Sequence, residues 1–159
     1  MNEFEKMIWK LPVEVVLATK ETRQNPKYHP EIFLYNHIEK VWNKAKQANA
    51  GHDMILISLF HDLGKIDTTF RKTRKDGTEA WVSYGHEFAS WKYLDLYLNR
   101  YDYDEKEMIY WICANHMRIH QYNSGELKNK IKRKELEEHK WFEQLKMFAE
   151  FDKGGKTNA

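Results

Sequence analysis

The sequence has little cysteine and proline: one cysteine, Cys113, and three prolines among 159 residues. A single cysteine excludes an internal disulfide framework and is typical of a reducing cytoplasm, which is the location that we expect. No apolar run approaches the roughly 20 residues that span a membrane, so no membrane association is expected. The start of the chain, MNEFEKMIWK, does not resemble a signal peptide. The net charge of +2 is too small to indicate nucleic-acid binding by itself.

The composition is that of a globular protein, with 42% hydrophobic and 31% charged residues. There is no internal repeat and no linker rich in Pro, Gly or Ser, so a chain of this length predicts one domain. We expect that domain to span residues 1–152, and residues 153–159 to form a disordered tail. All three prolines lie before residue 31, and helical periodicity dominates the remainder, which predicts an all-α fold.

The predicted helices rest on apolar residues that recur at spacings of three and four. They span residues 3–10, 12–20, 33–49, 52–63, 86–100, 104–117 and 133–152. The segment 66–84 differs, because its threonines, its Asp76-Gly77 turn and the run Trp81-Val82-Ser83-Tyr84 predict a loop with a small hairpin. Residues 121–131 are polar and predict a loop with a short helical piece at most.

The unusual feature is the placement of histidine and aspartate. His61-Asp62 follows the apolar run 54–59, at the end of a helix predicted to be buried. Four other residues lie on the inner stripe or at the start of separate predicted helices: His37, His86, His116 and Asp152. Any one of them could be a core residue that is satisfied by a hydrogen bond or an ion pair. Six together in a helical bundle predict a site for one or two divalent ions of Mn, Fe, Co, Ni, Zn or Mg.

Several stretches carry a family resemblance. They are Pro26-Lys27-Tyr28-His29-Pro30 before His37, Phe60-His61-Asp62-Leu63-Gly64-Lys65, Tyr84-Gly85-His86-Glu87, Asn115-His116 and, last in order, Asp152. In this order they resemble the HD-domain metal-dependent phosphohydrolases, and they are most similar to the HD domain of bacterial CCA-adding enzymes (tRNA nucleotidyltransferases). The chain carries no nucleotidyltransferase head, so polymerase activity is not implied. The segment 31–34 also lacks the Gly-Asp that often follows the His-Pro of that family.

The resemblance implies a role for each of these residues. The ligands of a first metal would be His37, His61, Asp62 and Asp152. In relatives with two metals Asp62 bridges them, and His86 and His116 would hold the second. Asp62 and Lys65 would be the catalytic residues, with Lys65 neutralising phosphate charge, although it could also be an ordinary exposed lysine at a helix end. Further substrate contacts would come from the basic loop with Arg71, Lys72, Arg74 and Lys75, and more weakly from Arg118 and His120.

The implied activity is hydrolysis of a phosphomonoester or phosphodiester of a nucleotide or a nucleic-acid end. The nearest look-alikes suggest 2′-nucleotidase, 2′,3′-cyclic phosphodiesterase or phosphatase activity, and the wider family suggests dNTP or dNMP hydrolysis as an alternative. No Ser or Cys nucleophile motif competes with this interpretation. A second alternative is a non-catalytic, metal-stabilised module that binds nucleic acid or protein. The basic segment 128–134 supports it, because clustered Lys and Arg contact RNA or DNA phosphates.

Overall fold

The protein is described here from a computed structural model that covers residues 1–103 and 105–153. Its helices are α1 Glu3–Ile8, α2 Val13–Glu21, α3 Leu34–Gln47, α4 His52–Phe60, α5 Lys65–Thr68, α6 His86–Ala89, α7 Trp91–Tyr97, α8 Glu107–Ser124, α9 Lys130–Glu137 and α10 Phe142–Asp152. Two strands, β1 Thr69–Thr73 and β2 Glu79–Ser83, form an antiparallel hairpin. The predicted all-α fold with a small hairpin is confirmed. Apart from Lys153, the predicted disordered tail lies outside the described residues, and the single domain stays a prediction.

The centre of the fold is α4, whose residues from Met54 to Phe60 are all buried. A helix that is apolar on every side must be surrounded by other helices. Here α3, α8 and α10 pack against α4, and α10 also contacts α3 and α8. Each fully buried Leu or Ile of this core stabilises the fold by roughly 1.5–3 kcal/mol. The four helices therefore hold the end of α4, where His61 and Asp62 lie, at a fixed position.

The helix predicted over 86–100 is broken at Ser90 into α6 and α7, and a 3-10 turn, Leu98–Tyr101, follows. The Ser90 hydroxyl accepts a hydrogen bond from the Gly64 N–H and lies 2.9 Å from the carbonyl oxygen of His61. Gly64 itself is needed for this close approach, because a Cβ atom there would lie 2.2 Å from the His86 carbonyl oxygen. The break therefore anchors α6 directly against the His-Asp turn.

The helix predicted over 133–152 is also wrong in its extent, because residues 138–141 separate α9 from α10. At this break the His139 ring stacks on Trp111 of α8, with ring centroids 3.8 Å apart. The segment predicted as a loop, 121–131, is partly helical, since α8 continues to Ser124. Helix α8 ends where Gly125 takes the left-handed conformation, with φ 81°. Helical spacing alone does not reveal either change.

The hairpin pairs Thr69 with Ser83 and Thr73 with Glu79, so it turns through residues 74–78 as its Asp-Gly dipeptide predicts. The Asp76 carboxylate accepts hydrogen bonds from the backbone N–H and the hydroxyl of Thr78 and so stabilises the turn. The hairpin leaves the core after α5 and returns at α6, so it delivers His86 to the end of α4. Within residues 1–103 and 105–153, no helix has the length and hydropathy of a membrane span.

Candidate metal centre

The structure brings together all six residues that the sequence analysis predicted as metal ligands. They come from α3, the turn after α4, the start of α6, the middle of α8 and the end of α10: His37, His61, Asp62, His86, His116 and Asp152. Their exposed fractions lie between 0 and 4%. Polar side chains buried to this degree need partners, because an unpaired buried charge is costly.

Asp62 lies at the centre of the cluster, and its two carboxylate oxygens face different histidines. Oδ2 lies 3.2 Å from His37 Nε2 and 3.1 Å from His61 Nε2. Oδ1 lies 3.0 Å from His86 Nε2 and 3.1 Å from His116 Nε2. One carboxylate therefore joins two separate pairs of imidazoles.

Asp152 adds a second carboxylate to the pair formed by His37 and His61, and not to the pair formed by His86 and His116. Its Oδ1 lies 3.0 Å from His37 Nε2 and 3.3 Å from His61 Nε2. Its Oδ2 lies 2.6 Å from Nε2 of His120, a residue of α8 one turn beyond His116. His120 therefore holds the second oxygen of Asp152 and leaves the first facing the two histidines.

Hydrogen bonds on the outer side of the cluster set the tautomers of the four central histidines. The Nδ1 atoms of His61, His86 and His116 lie 2.9, 2.9 and 2.6 Å from the backbone carbonyl oxygens of Ser58, Ser83 and Cys113. His37 Nδ1 lies 2.8 Å from Glu31 Oε1. Because these acceptors have no hydrogen to give, each Nδ1 is the donor, and the Nε2 atoms face inward. Metal-ligating histidines are commonly supported in this way.

This arrangement fits divalent metal. With hydrogen on each Nδ1, the neutral Nε2 atoms present lone pairs to carboxylate oxygens and to one another, and those of His86 and His116 are 3.1 Å apart. The buried His61 Nε2 lies close to oxygens of Asp62 and Asp152 but without good hydrogen-bond geometry to either. Converging lone pairs repel unless a cation or a proton lies among them. Two sets of ligand atoms, each within 4.8 Å of one another, could hold an ion: His37, His61, Asp62 and Asp152, and Asp62, His86 and His116.

Neighbouring charges hold the pKa values of the Asp62 and Asp152 carboxyl groups below their usual range, which favours the ionised form that binds a cation. Burial alone would raise the pKa of Asp62, but His61 and Lys65 outweigh it and hold that pKa well below its usual range. Burial lowers the pKa of His116, which favours the neutral imidazole that a metal ligand must be. For His61, burial is outweighed by Asp62 and Asp152, which raise its pKa to about 9.

A cavity of about 570 Å³ opens onto one side of the cluster. Asp62, His86, His116 and Asp152 line it, whereas His37 and His61 lie behind the wall. Lys65 also lines it and is only 6% exposed, so it is not the ordinary exposed lysine that the sequence left open.

Lys65 is held by three polar neighbours at this wall. Its Nζ lies 3.3 Å from Asp62 Oδ2 and 3.5 Å from His29 Nε2, and it donates to Gln24 Oε1 at 2.7 Å. The amide orientation of Gln24 follows from this contact, because a flipped amide would place two donors together. Gln24 Nε2 is then a buried donor that has no partner.

Four residues predicted to contact substrate are absent from the cavity wall: Arg71, Lys72, Lys75 and Arg118. Arg71 forms an ion pair with Glu79 across the hairpin, Lys72 donates to the Tyr84 hydroxyl at 3.0 Å, and Arg118 is half-buried on α8. Arg74 and His120, by contrast, do line the cavity. Arg71 and Lys72 lie on β1, where residues of β2 or at its end engage them, whereas Arg74 lies in the turn beyond the strand.

Glu31 is the residue at the cluster that the sequence analysis missed. It lies 2.8 Å from His37 Nδ1 and 3.3 Å from His29 Nδ1, and these three residues form a third group that could hold an ion. Ile32 follows it with φ 64°, a strained conformation for a β-branched residue, as the chain turns into α3. The only sequence signal for Glu31 was its position directly after His29-Pro30.

The comparison with protein families agrees with this geometry. The model of the HD domain matches residues 34–143, more than half of the chain. No curated protein has a significant match to the chain. Asp152 lies beyond the matched residues, and its place in the cluster rests on the distances above. HD domains are generally metal-dependent hydrolases that bind divalent metals. The chain belongs to the HD domain family.

Proposed function

We propose that this protein is a metal-dependent phosphohydrolase that cleaves a phosphomonoester or phosphodiester of a nucleotide or a nucleic-acid end. The observation that carries the proposal is the Asp62 carboxylate, which joins two groups of imidazole nitrogens at the wall of a cavity large enough for a nucleotide. The coarse activity class is that of the HD family, and the substrate class is our inference.

The residues would divide the work as follows. His37, His61, Asp62 and Asp152 would hold a first divalent metal, and Asp62, His86 and His116 a second. A divalent metal held there would polarise a phosphoryl oxygen and would lower the pKa of a bound water to about 7, which makes that water a nucleophile for phosphorus. His120 and Glu31 position Asp152 and His37 from the outside, so that the inner atoms keep their orientation.

The wall formed by Lys65 and Gln24 suits the oxygens of a phosphate. Lys65 brings a positive charge that water screens little, because its ammonium group is buried beside Asp62. Gln24 adds an amide donor without a partner on the same wall. Phosphoryl oxygens are acceptors that carry negative charge, so both groups favour such a ligand over a neutral one. We therefore assign Lys65 to charge neutralisation at the substrate phosphate.

The resemblance to the HD domain of CCA-adding enzymes favours one set of reactions. It supports 2′-nucleotidase, 2′,3′-cyclic phosphodiesterase or phosphatase activity over hydrolysis of dNTPs or dNMPs. The motifs that carry it include His29-Pro30 and Lys65, and Lys65 Nζ lies 3.5 Å from His29 Nε2 at the cavity wall.

A second candidate function rests on the basic segment 128–134. Its five Lys and Arg residues lie on or next to α9, and all are exposed or half-buried: Lys128, Lys130, Lys132, Arg133 and Lys134. The segment follows Glu126, which lines the cavity. Backbone phosphates of RNA would bind such a surface without sequence preference. A binding module of this type would bind RNA with a steep salt dependence and release no phosphate.

A panel assay tests the proposed activity. Purified protein loaded with Mn²⁺, Co²⁺, Ni²⁺ or Mg²⁺ is incubated with 2′-, 3′- and 5′-nucleotides, 2′,3′-cyclic nucleotides and dNTPs, and the products are quantified. We expect hydrolysis of at least one member, lost after chelation and restored by added metal. Hydrolysis that persists after exhaustive chelation, or no hydrolysis by folded, metal-loaded protein, would contradict the proposal. In the latter case, salt-dependent RNA binding would favour the binding module.

A further inference from the structure

The cavity wall next to the metal ligands is aromatic. Tyr28, Trp81 and Tyr84 line it, together with the apolar side chains of Val82 and Met117. Tyr84 is 62% exposed and Tyr28 is 45% exposed, so neither ring is needed to fill the core. Large exposed aromatic side chains gathered at a cavity are typical of ligand sites.

The aromatic wall and the metal centre are built from one continuous segment. β2 carries Trp81, and Tyr84 follows at its end. Gly85, with φ 76°, then turns the chain into His86. His86 Nδ1 donates to the Ser83 carbonyl at 2.9 Å, which fixes the strand end against the cluster. His86 is two positions after Tyr84, so their Cα atoms lie at most roughly 7 Å apart. The aromatic side chains and Asp62 thus line the same cavity.

Two of the cations that do not line the cavity, Arg71 and Lys72, contact these rings instead. The Arg71 guanidinium lies 6.0 Å from the centroid of the Trp81 ring. Lys72 Nζ lies 5.2 Å from the centroid of Tyr84 and donates to its hydroxyl. Phe70 meets Tyr84 edge-on, with centroids 5.8 Å apart. These contacts hold the rings in place before a ligand arrives, which lowers the entropic cost of binding.

We propose that Tyr28, Trp81 and Tyr84 form a subsite that stacks the nucleobase of the ligand. The proposal rests on the proposed function for the position of the phosphate, and it assigns the hairpin a role in choosing nucleotides over other phosphate esters. Any base has a flat π face, so stacking accepts purines and pyrimidines alike. The cavity of about 570 Å³ leaves room for a base and a sugar beside one phosphate.

Equilibrium binding tests the subsite without turnover. The probes are AMP, ribose 5-phosphate and the dinucleotide ApA carrying a terminal phosphate. Each is titrated by calorimetry against chelated protein, which the proposed function predicts to be inactive. We expect AMP to bind at least about 10-fold more tightly than ribose 5-phosphate, as the loss of one stacked base predicts. ApA binding as tightly as AMP would indicate a nucleic-acid end, and weaker binding would indicate a free nucleotide; either outcome keeps the subsite.

The variants separate stacking from general damage. Tyr84→Ala should reduce the preference for AMP toward unity, and Tyr84→Phe, which keeps the ring, should retain most of it. The matched control is Phe88→Ala, which removes a ring that is 57% exposed but does not line the cavity, and it should leave the preference unchanged. The proposal is overturned if the wild-type protein binds AMP and ribose 5-phosphate equally. It is also overturned if Tyr28→Ala, Trp81→Ala and Tyr84→Ala all keep the preference.

The two proposals can fail separately. If AMP is preferred and Tyr84→Ala removes the preference, but no phosphate ester is cleaved, the subsite stands and the phosphohydrolase does not. If nucleotides and base-free phosphate esters are cleaved with equal kcat/KM, the phosphohydrolase stands and the subsite does not.

Discussion

The two ligand groups that meet at Asp62 use the same residue types but differ in charge and access. The first, which we name the deep group, has two carboxylates and two imidazoles: His37, His61, Asp62 and Asp152. The second, the cavity group, has one carboxylate and two imidazoles: Asp62, His86 and His116. All members of the cavity group line the cavity, whereas His37 and His61 of the deep group do not.

This difference predicts a division of labour. A larger negative charge and deeper burial favour tight binding of a divalent cation, so metal in the deep group should be firmly held. The cavity group shares its only carboxylate, so its metal should be weaker and should exchange with solvent. The cavity group, nearest the substrate, would thus have a metal occupancy that varies with the metal concentration, and metal in the deep group would stabilise the fold.

Asp62→Asn should have the largest effect, because it removes the carboxylate that both groups share. The amide keeps the size of the side chain but loses the charge that attracts metal. We expect metal content and turnover to fall together, by more than the roughly 100-fold that loss of an outer support of a metal ligand costs. Elemental analysis and kcat/KM on the best substrate measure this. A variant with full metal content and wild-type turnover would refute the central place of Asp62.

Graded chelation should separate the two groups. A weak chelator should remove metal from the cavity group and abolish turnover while the melting temperature hardly changes. A strong chelator should then empty the deep group and lower the melting temperature. Metal present at about 100 times its Kd stabilises the fold by about 2.7 kcal/mol, which corresponds to roughly 5–10 °C. Scanning calorimetry at each chelator step measures it, and loss of activity and stability in one step would contradict the division.

His116→Gln should disturb only the cavity group. His116 contacts Asp62 through Oδ1, on the side away from His37 and His61. We expect one equivalent of metal to remain while turnover falls at least about 10-fold. The matched variant is His61→Gln in the deep group, which should lose the firmly held metal. If His86→Ala and His116→Ala both keep wild-type rates, the site is mononuclear and these histidines are structural.

Glu31→Gln should have the smallest effect, confined to the deep group. Gln keeps an oxygen that can accept from His37 Nδ1 but loses the negative charge that makes the imidazole a stronger ligand. We expect about a 10-fold weaker affinity for the firmly held metal and no change in the weaker one. Competition with a fluorescent chelator measures both affinities. Loss of all metal from Glu31→Gln would instead point to the group of His29, Glu31 and His37 as the true site.

The clustering of most of the six residues was predictable because helical spacing places a residue on a face without knowledge of the tertiary structure, whereas His86 was expected there from its place at a helix start and from the family resemblance. His37 and Asp152 each share a stripe with buried leucines, Leu34 and Leu145. The His-Asp pair follows an apolar run, which fixes its position at the end of a buried helix. The order of these residues along the chain then indicated the resemblance to the HD-domain family.

The remainder depended on contacts between distant residues. Gln24 and Glu31 lie in the irregular connection before α3, where no periodicity indicates direction. The break at Ser90 depends on its hydrogen bond with Gly64, 26 residues away. Similarly, Arg74 in the turn lines the cavity, whereas Arg71 on β1 forms an ion pair with Glu79 of β2, a difference that composition does not determine.

The most direct test is anomalous diffraction from crystals grown with Mn²⁺, at low and at high metal concentration. At low concentration we predict one anomalous peak surrounded by His37, His61, Asp62 and Asp152. At high concentration we predict a second peak between Asp62, His86 and His116. A first peak at His29 and Glu31, or no peak near Asp62 at either concentration, would contradict the account.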